Sequence, residues 1–179
     1  MVVPFHKNTA GPALWGRPPY LMKEKIKEIV VPREDAVFWL DGNGFWHNRE
    51  EKFTHRKIIN YFHSSIRKDK KGYYLFQVHP GYREKVYFPY EDTALFVFEV
   101  VRDEEPVLVL NTGKRIKLEP SKMFIEGDSL YMEAGGERIK FTEQALVRIA
   151  DLIEEKDGRC FIRVGGQEHR IKETKSPQP

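Results

Sequence analysis

The chain has 179 residues, of which 40% are hydrophobic, 13% aromatic and 32% charged. This composition excludes a disordered chain, and no apolar run approaches the ~18 residues of a membrane span. Net charge is +3, but residues 1–89 carry 16 Lys and Arg against 9 Asp and Glu, while residues 90–179 carry 14 against 18. The basic half offers a face for an anionic partner, or is simply a lysine-bearing, loop-rich surface. Cys160 is the single cysteine, so no internal disulfide can form. With no secretory leader pattern at the start, a reducing, cytoplasmic setting is expected.

Residues 1–20, with Pro4, Pro12, Pro18 and Pro19, read as an extended arm, and Trp15 is apolar enough to dock on the body. Met22, Ile26, Ile29 and Val30 stand at helical spacing, predicting a short helix over 21–30 that Pro32 stops. Two aromatic runs flank Asp41-Gly42-Asn43-Gly44 and predict a hairpin. Thr54 then offers an N-cap to a helix whose face is Ile58, Tyr61, Phe62, Ser65 and Ile66, ending at Lys70-Lys71-Gly72. Strands follow at Tyr73–His79 and Glu84–Phe88, and a second hairpin joins Ala94–Arg102 to Pro106–Leu110. Met123–Glu133 is a further hairpin, turning at Gly127-Asp128. Thr142 caps a helix bearing Leu146, Ile149, Leu152 and Ile153, which Gly158 ends, and Arg159–Val164 is a strand before Gly165-Gly166.

Hairpin, Phe-Thr, helix, glycine and strand recur in one order, with Phe53-Thr54 matching Phe141-Thr142 and Gly72 matching Gly158. The expected fold is therefore α+β, two diverged copies of a β-hairpin–helix–β-strand unit with mainly antiparallel sheets, each packed on one helix. The expected layout is an arm over 1–20, a first lobe over 21–110, a second over 111–172 and a disordered tail over 173–179.

The stretch Leu40-Asp41-Gly42-Asn43-Gly44-Phe45-Trp46-His47, followed by Arg56, Tyr61-Phe62, Ser64, Arg67 and Gly72-Tyr73-Tyr74, resembles the bacterial domain of unknown function 1285 family. Pro80, Glu84-Lys85-Val86 and Tyr90–Phe96 continue the likeness, as do Trp15 with Pro18-Pro19 and the turn Gly165-Gly166. The chain departs from the family pattern at Asn43, at the spacing from Arg67 to Gly72, around Gly81-Tyr82-Arg83 and at Ala94-Leu95. The resemblance spans about Trp15 to Ile171 and implies a duplicated α+β architecture. It implies no established activity.

No metal site is expected: His55 and His63 lie eight apart, two turns along a helix, and the other histidines are isolated. Gly42-Asn43-Gly44 precedes a strand, so it is a turn and not a phosphate loop. Cys160 reads as a small core residue in an alternating strand, and Ser64-Ser65 lies within a helix. The cluster that stands out is Trp46, His47, Arg56, Lys85, Glu91 and Asp92. It would serve as a ligand or partner site of aromatic and charged groups. Its structural alternative is a core Trp46 with Arg56 paired to Glu91 or Asp92.

With no catalytic constellation and no cofactor motif, the leading expectation is a non-catalytic binding or regulatory module. It would recognise a protein partner or small anionic ligand, mainly through the first lobe, as a monomer or homodimer with no membrane attachment. Nucleic-acid binding through the basic half, with Arg67-Lys68-Asp69-Lys70-Lys71 as its best run, ranks second. An acid–base enzyme using His47 with Asp41 or Glu91 ranks third.

Overall fold

A computed structural model describes residues 26–174. The chain is α+β, with sixteen strands and two short α-helices among the described residues. The first strand, β1 (Lys27–Val31), lies where the spacing predicted a helix. Residues 21–25 of that helix, and the arm with Trp15, fall outside the described residues. The reason for the difference is pairing. β1 runs parallel to β6 (Tyr82–Tyr87), so half-buried Ile29 and Val31 alternate with exposed Val30 at the period of a strand.

The hairpin of β2 (Phe38–Leu40) and β3 (Trp46–Asn48) turns at Asp41–Gly44 as expected. Gly44 has φ +82, and a Cβ there would stand 3.0 Å from the Phe96 ring, so only glycine fits. The helix α1 (Arg56–Ser65) has His55 at its N-cap with no side-chain cap bond, so Thr54 is not the cap. Its inward face is also shifted from the predicted one. Ile59, Phe62 and His63 pack inward, while Ile58 and Tyr61 are exposed. Ser65 and Ile66 are buried as expected, and apolar residues on both sides of the stripe are why spacing alone also took in Ile58 and Tyr61.

α1 ends at Ser65, not at Gly72, because β4 (Ile66–Asp69) follows at once and pairs with β5 (Gly72–His79). Gly72 is thus a hairpin turn residue, with φ +122. β1, β6, β5 and β4 form a four-stranded sheet in that order.

The seven-stranded sheet has the order β16-β10-β11-β12-β7-β8-β9. These are β7 (Leu95–Val101), β8 (Val107–Leu110), β9 (Arg115–Lys117), β10 (Met123–Glu126), β11 (Ser129–Ala134), β12 (Glu137–Phe141) and β16 (Lys172–Thr174). The tail expected from residue 173 therefore starts inside a strand that pairs with β10, and 175–179 fall outside the described residues. The boundary expected at 110/111 falls between β8 and β9, which are neighbours in this sheet.

Thr142 caps α2 (Glu143–Ile149), its hydroxyl oxygen accepting from Ala145 N. After a short 3-10 turn at Ala150–Leu152, Ile153 opens β13 (Ile153–Lys156), which pairs with β14 (Arg159–Val164) and then β15 (Gln167–Arg170). Gly158 is again a hairpin turn and not a helix end. Each α-helix is therefore followed by a three-stranded antiparallel meander. No helix among the described residues is long and apolar enough to cross a membrane.

Two apolar clusters divide within β7. Phe96 joins Leu40, Trp46, Leu75 and Phe88, whereas Val97, on the opposite face of the strand, joins Leu108, Met132, Ile139 and Ile149. Buried Asn111 ties the helix to this strand. Its Nδ2 donates to Ala94 O at 3.0 Å and lies 3.1 Å from His63 Nδ1, and its Oδ1 accepts from Phe96 N at 3.1 Å. Trp46 Nε1 donates to the same His63 nitrogen at 3.3 Å. Two converging donors require an unprotonated Nδ1, so the ring carries its proton on Nε2.

Asn111→Ala leaves Phe96 N and Ala94 O without the Asn111 side chain and His63 Nδ1 with Trp46 alone, and should cost about 3 kcal/mol in chemical denaturation. Burial pushes the His63 pKa down from 6.5 to about 4. The unfolded chain therefore takes up a proton that the folded chain refuses as pH falls from 6.5 to 4. This contribution to stability is complete above pH 6.5 and is lost toward pH 4, by ~3 kcal/mol in total. Urea unfolding of wild type and His63→Gln across this range should show a shallower pH slope in the variant.

Candidate functional site

The structure does not gather the six residues singled out in the sequence. Trp46 is core, packed edge-on against Phe38, Phe62 and Phe88. His47 stacks on Trp39 with ring centroids 4.5 Å apart, and its Nε2 lies 2.8 Å from Asp41 Oδ2. Arg56 is exposed at the start of α1 and pairs with neither Glu91 nor Asp92. Lys85 stands on β6, 3.7 Å from Asp69 and 3.8 Å from Glu28.

Glu91 accepts from Gly42 N at 2.7 Å. Asp92 accepts from Tyr131 OH at 2.7 Å and pairs with Lys140 at 3.2 Å and Arg138 at 3.3 Å. Arg138 in turn makes two 3.0 Å bonds to Glu126 and lies over the Tyr131 ring. Lys140 donates onward to Gly42 O at 2.7 Å. Glu91 and Asp92 thus belong to a chain of polar contacts that pins the β2–β3 turn to β12 and β11.

The Asp41–His47 pair is an acid–base pair in composition, but its carboxylate is committed to the turn. One Asp41 oxygen accepts from Phe45 N at 2.8 Å and Asn43 N at 2.9 Å. Burial raises its pKa, but those amides and His47 outweigh burial and hold the carboxyl below its ordinary value. Part of the basic run is likewise committed, while the Lys70 and Lys71 side chains are exposed. Arg67 donates to Ser64 O and Ile66 O, Lys68 pairs with Glu137 at 2.7 Å, and Asp69 accepts from Lys71 N. Burial, with Glu155 and Glu173, pushes the Cys160 thiol up, against a nucleophilic role. Among the described residues no group of three His, Cys, Asp or Glu could hold a metal ion.

The open space lies elsewhere. A cleft of about 390 Å³ runs between the β2–β3 turn, β7, β12, the β10–β11 turn and the start of α2. Phe45, Phe96, Phe98 and Leu146 supply its apolar lining, and Asn43, Asp128, Lys140, Glu143 and Gln144 its polar groups. Phe45 is 46% and Phe98 37% exposed, whereas Phe96 is fully buried. Phe98 also packs against the His63 ring, 4.9 Å between centroids, so the cleft wall rests on the buried Asn111–His63 contact. These residues lie up to about a hundred positions apart, so no local motif could have announced them. The one sequence signal was the Asp41–Gly44 turn.

A second hollow, about 450 Å³ and more open, is lined by Arg67, Lys68, Tyr73, Thr112, Lys114 and Glu137. There Lys68 and the Tyr73 hydroxyl both bond Glu137, and these polar groups satisfy one another.

No protein-family model matches the chain, and no curated protein matches it. Two solved structures do. A DUF1285 family protein from Silicibacter pomeroyi DSS-3 aligns at TM-score 0.54 and 16% identity, over 82% of this chain and 84% of that one. A DUF1285 family protein from Shewanella baltica OS155 aligns at TM-score 0.46 and 18% identity, over 64% of this chain and 91% of that one. The first likeness shows that the chain has the fold of a DUF1285 family protein, as its motifs implied.

The Asp92 contacts yield a stability test. Asp92→Ala leaves Lys140 half-buried without its counter-ion and should cost about 2 kcal/mol by denaturant titration. The double variant Asp92→Leu with Lys140→Met, which removes both charges, should lose less than that.

Proposed function

We propose that this chain, built on the fold of a DUF1285 family protein, is a non-catalytic binding module whose ligand seats in the cleft between the β2–β3 turn and α2. The observation that carries the reading is the cleft itself. Its volume of about 390 Å³ falls within the ~300–1,000 Å³ usual for ligand sites. Its walls combine exposed phenyl rings with a few polar groups, which is the composition such sites need. Of the titratable groups near it, Lys140, Glu91 and Asp41 are held in structural contacts, and no histidine or cysteine among the described residues lines it, which favours binding over chemistry. Both halves of the chain contribute walls, so the site belongs to their junction and not to the first lobe alone.

Common descent of the two halves is part of the same reading. It is supported by the shared order of helix, strand, turn glycine and strand at Gly72 and Gly158. A cytoplasmic location accompanies it, supported by the lone Cys160.

A fragment screen by NMR on the full chain tests the site. Aromatic fragments should perturb Phe45, Phe98 and Leu146 together, and Leu146→Trp, which fills the space, should weaken them at least about tenfold with far-UV dichroism unchanged. Fragments that bind equally well to Leu146→Trp would place the site elsewhere. Turnover of a substrate that depends on His47 would overturn the non-catalytic reading.

A further inference from the structure

The charge around the cleft has the opposite sign to the N-terminal half as a whole. Its single lining cation, Lys140, is already neutralised by Asp92 at 3.2 Å and donates to Gly42 O. Asp128 and Glu143 stand exposed on the rim and form no ion pair among the described residues. Behind the turn, Glu91 adds a third carboxylate, bonded to Gly42 N. Lys52 is the opposing cation nearby: its Nζ lies 3.0 Å from the centroid of the Phe45 ring. This also shows that the ring accepts an ammonium. The balance is acidic over an aromatic floor, a combination that attracts cations with apolar bodies and repels anions.

The rim also carries two carboxamides, Asn43 and Gln144, whose side chains make no hydrogen bond among the described residues. Each can donate and accept, which matches the alternating N–H and C=O groups of a peptide backbone.

We infer that the cleft takes an extended peptide segment of a partner protein carrying arginine or lysine beside an aromatic residue. The aromatic ring would lie against Phe45, Phe98 and Leu146, and the cation would lie toward Asp128 and Glu143. This inference rests on the binding reading above and names its ligand. It replaces the anionic ligand that the basic half of the sequence had implied.

The test uses the full chain and three blocked tetrapeptides: Gly-Phe-Arg-Gly, Gly-Phe-Gln-Gly and Gly-Phe-Glu-Gly, each acetylated and amidated. NMR titration should give the arginine peptide about tenfold tighter binding than the glutamine peptide, and the glutamate peptide the weakest. The arginine preference should shrink as salt is raised, because charges on the rim are screened over ~8–10 Å. Asp128→Asn with Glu143→Gln should bring the arginine and glutamine peptides within about twofold, with far-UV dichroism showing the variant folded; an arginine preference that persists in it would overturn the role of the two carboxylates.

Equal binding of all three peptides, with shifts at Phe45, Phe98 and Leu146, would overturn the cation preference and leave the cleft as the site. Absence of shifts from any peptide would remove the peptide ligand. Fragments still blocked by Leu146→Trp would then show that the cleft itself stands.

Discussion

The junction of the two apolar clusters depends on one buried side chain, the amide of Asn111. β7 must place Phe96 in one cluster and Val97 in the other, so its backbone passes between them with polar groups to satisfy. Asn111 answers two of those needs at once, bonding Phe96 N and Ala94 O, and it also bonds the imidazole of His63. Through His63 it also positions Trp46 and α1. A buried polar group left unpaired costs more than its bond contributes when made. The hub therefore specifies how helix, hairpin and sheet meet.

A second polar chain does for the surface what Asn111 does for the interior. Glu126, Arg138, Asp92, Lys140 and Gly42 are linked in sequence across the seven-stranded sheet to the β2–β3 turn. Pairs this partially solvated contribute modestly to stability, but they fix where the turn lies relative to α2. That placement sets the width of the cleft. The same contacts give Asp41, Glu91 and Asp92 a structural role, because each carboxylate helps to hold the turn in place.

The Asp41–Gly44 hairpin was legible in the sequence because Asp-Gly and Asn-Gly have local conformational preferences that few other dipeptides share. Thr142 was legible as a cap for the same reason: its oxygen reaches the amide of Ala145, three residues on. Thr54 carried the same signal and failed, since α1 begins one residue later, after His55. Residues 26–31 failed more completely. Ile26, Ile29 and Val30 satisfy a helical period, yet the free edge of β6 supplied partners that turned the segment into β1. Local periodicity cannot register a partner more than fifty residues away.

The candidate site divides along the same line. The sequence by itself determined an α+β chain, several of its hairpin turns and most of its strands. These follow from interactions among residues a few positions apart. Only the tertiary structure decided that Trp46 is core, that Lys85 stands apart from Glu91, and that Phe45, Phe98, Asp128 and Glu143 share a cleft. Strand order and register bring those side chains together. The parallel pairing of β7 with β12, in particular, sets Phe96 opposite Lys140. Such long-range pairing is selected by how all the apolar faces can be buried at once, which no single segment encodes.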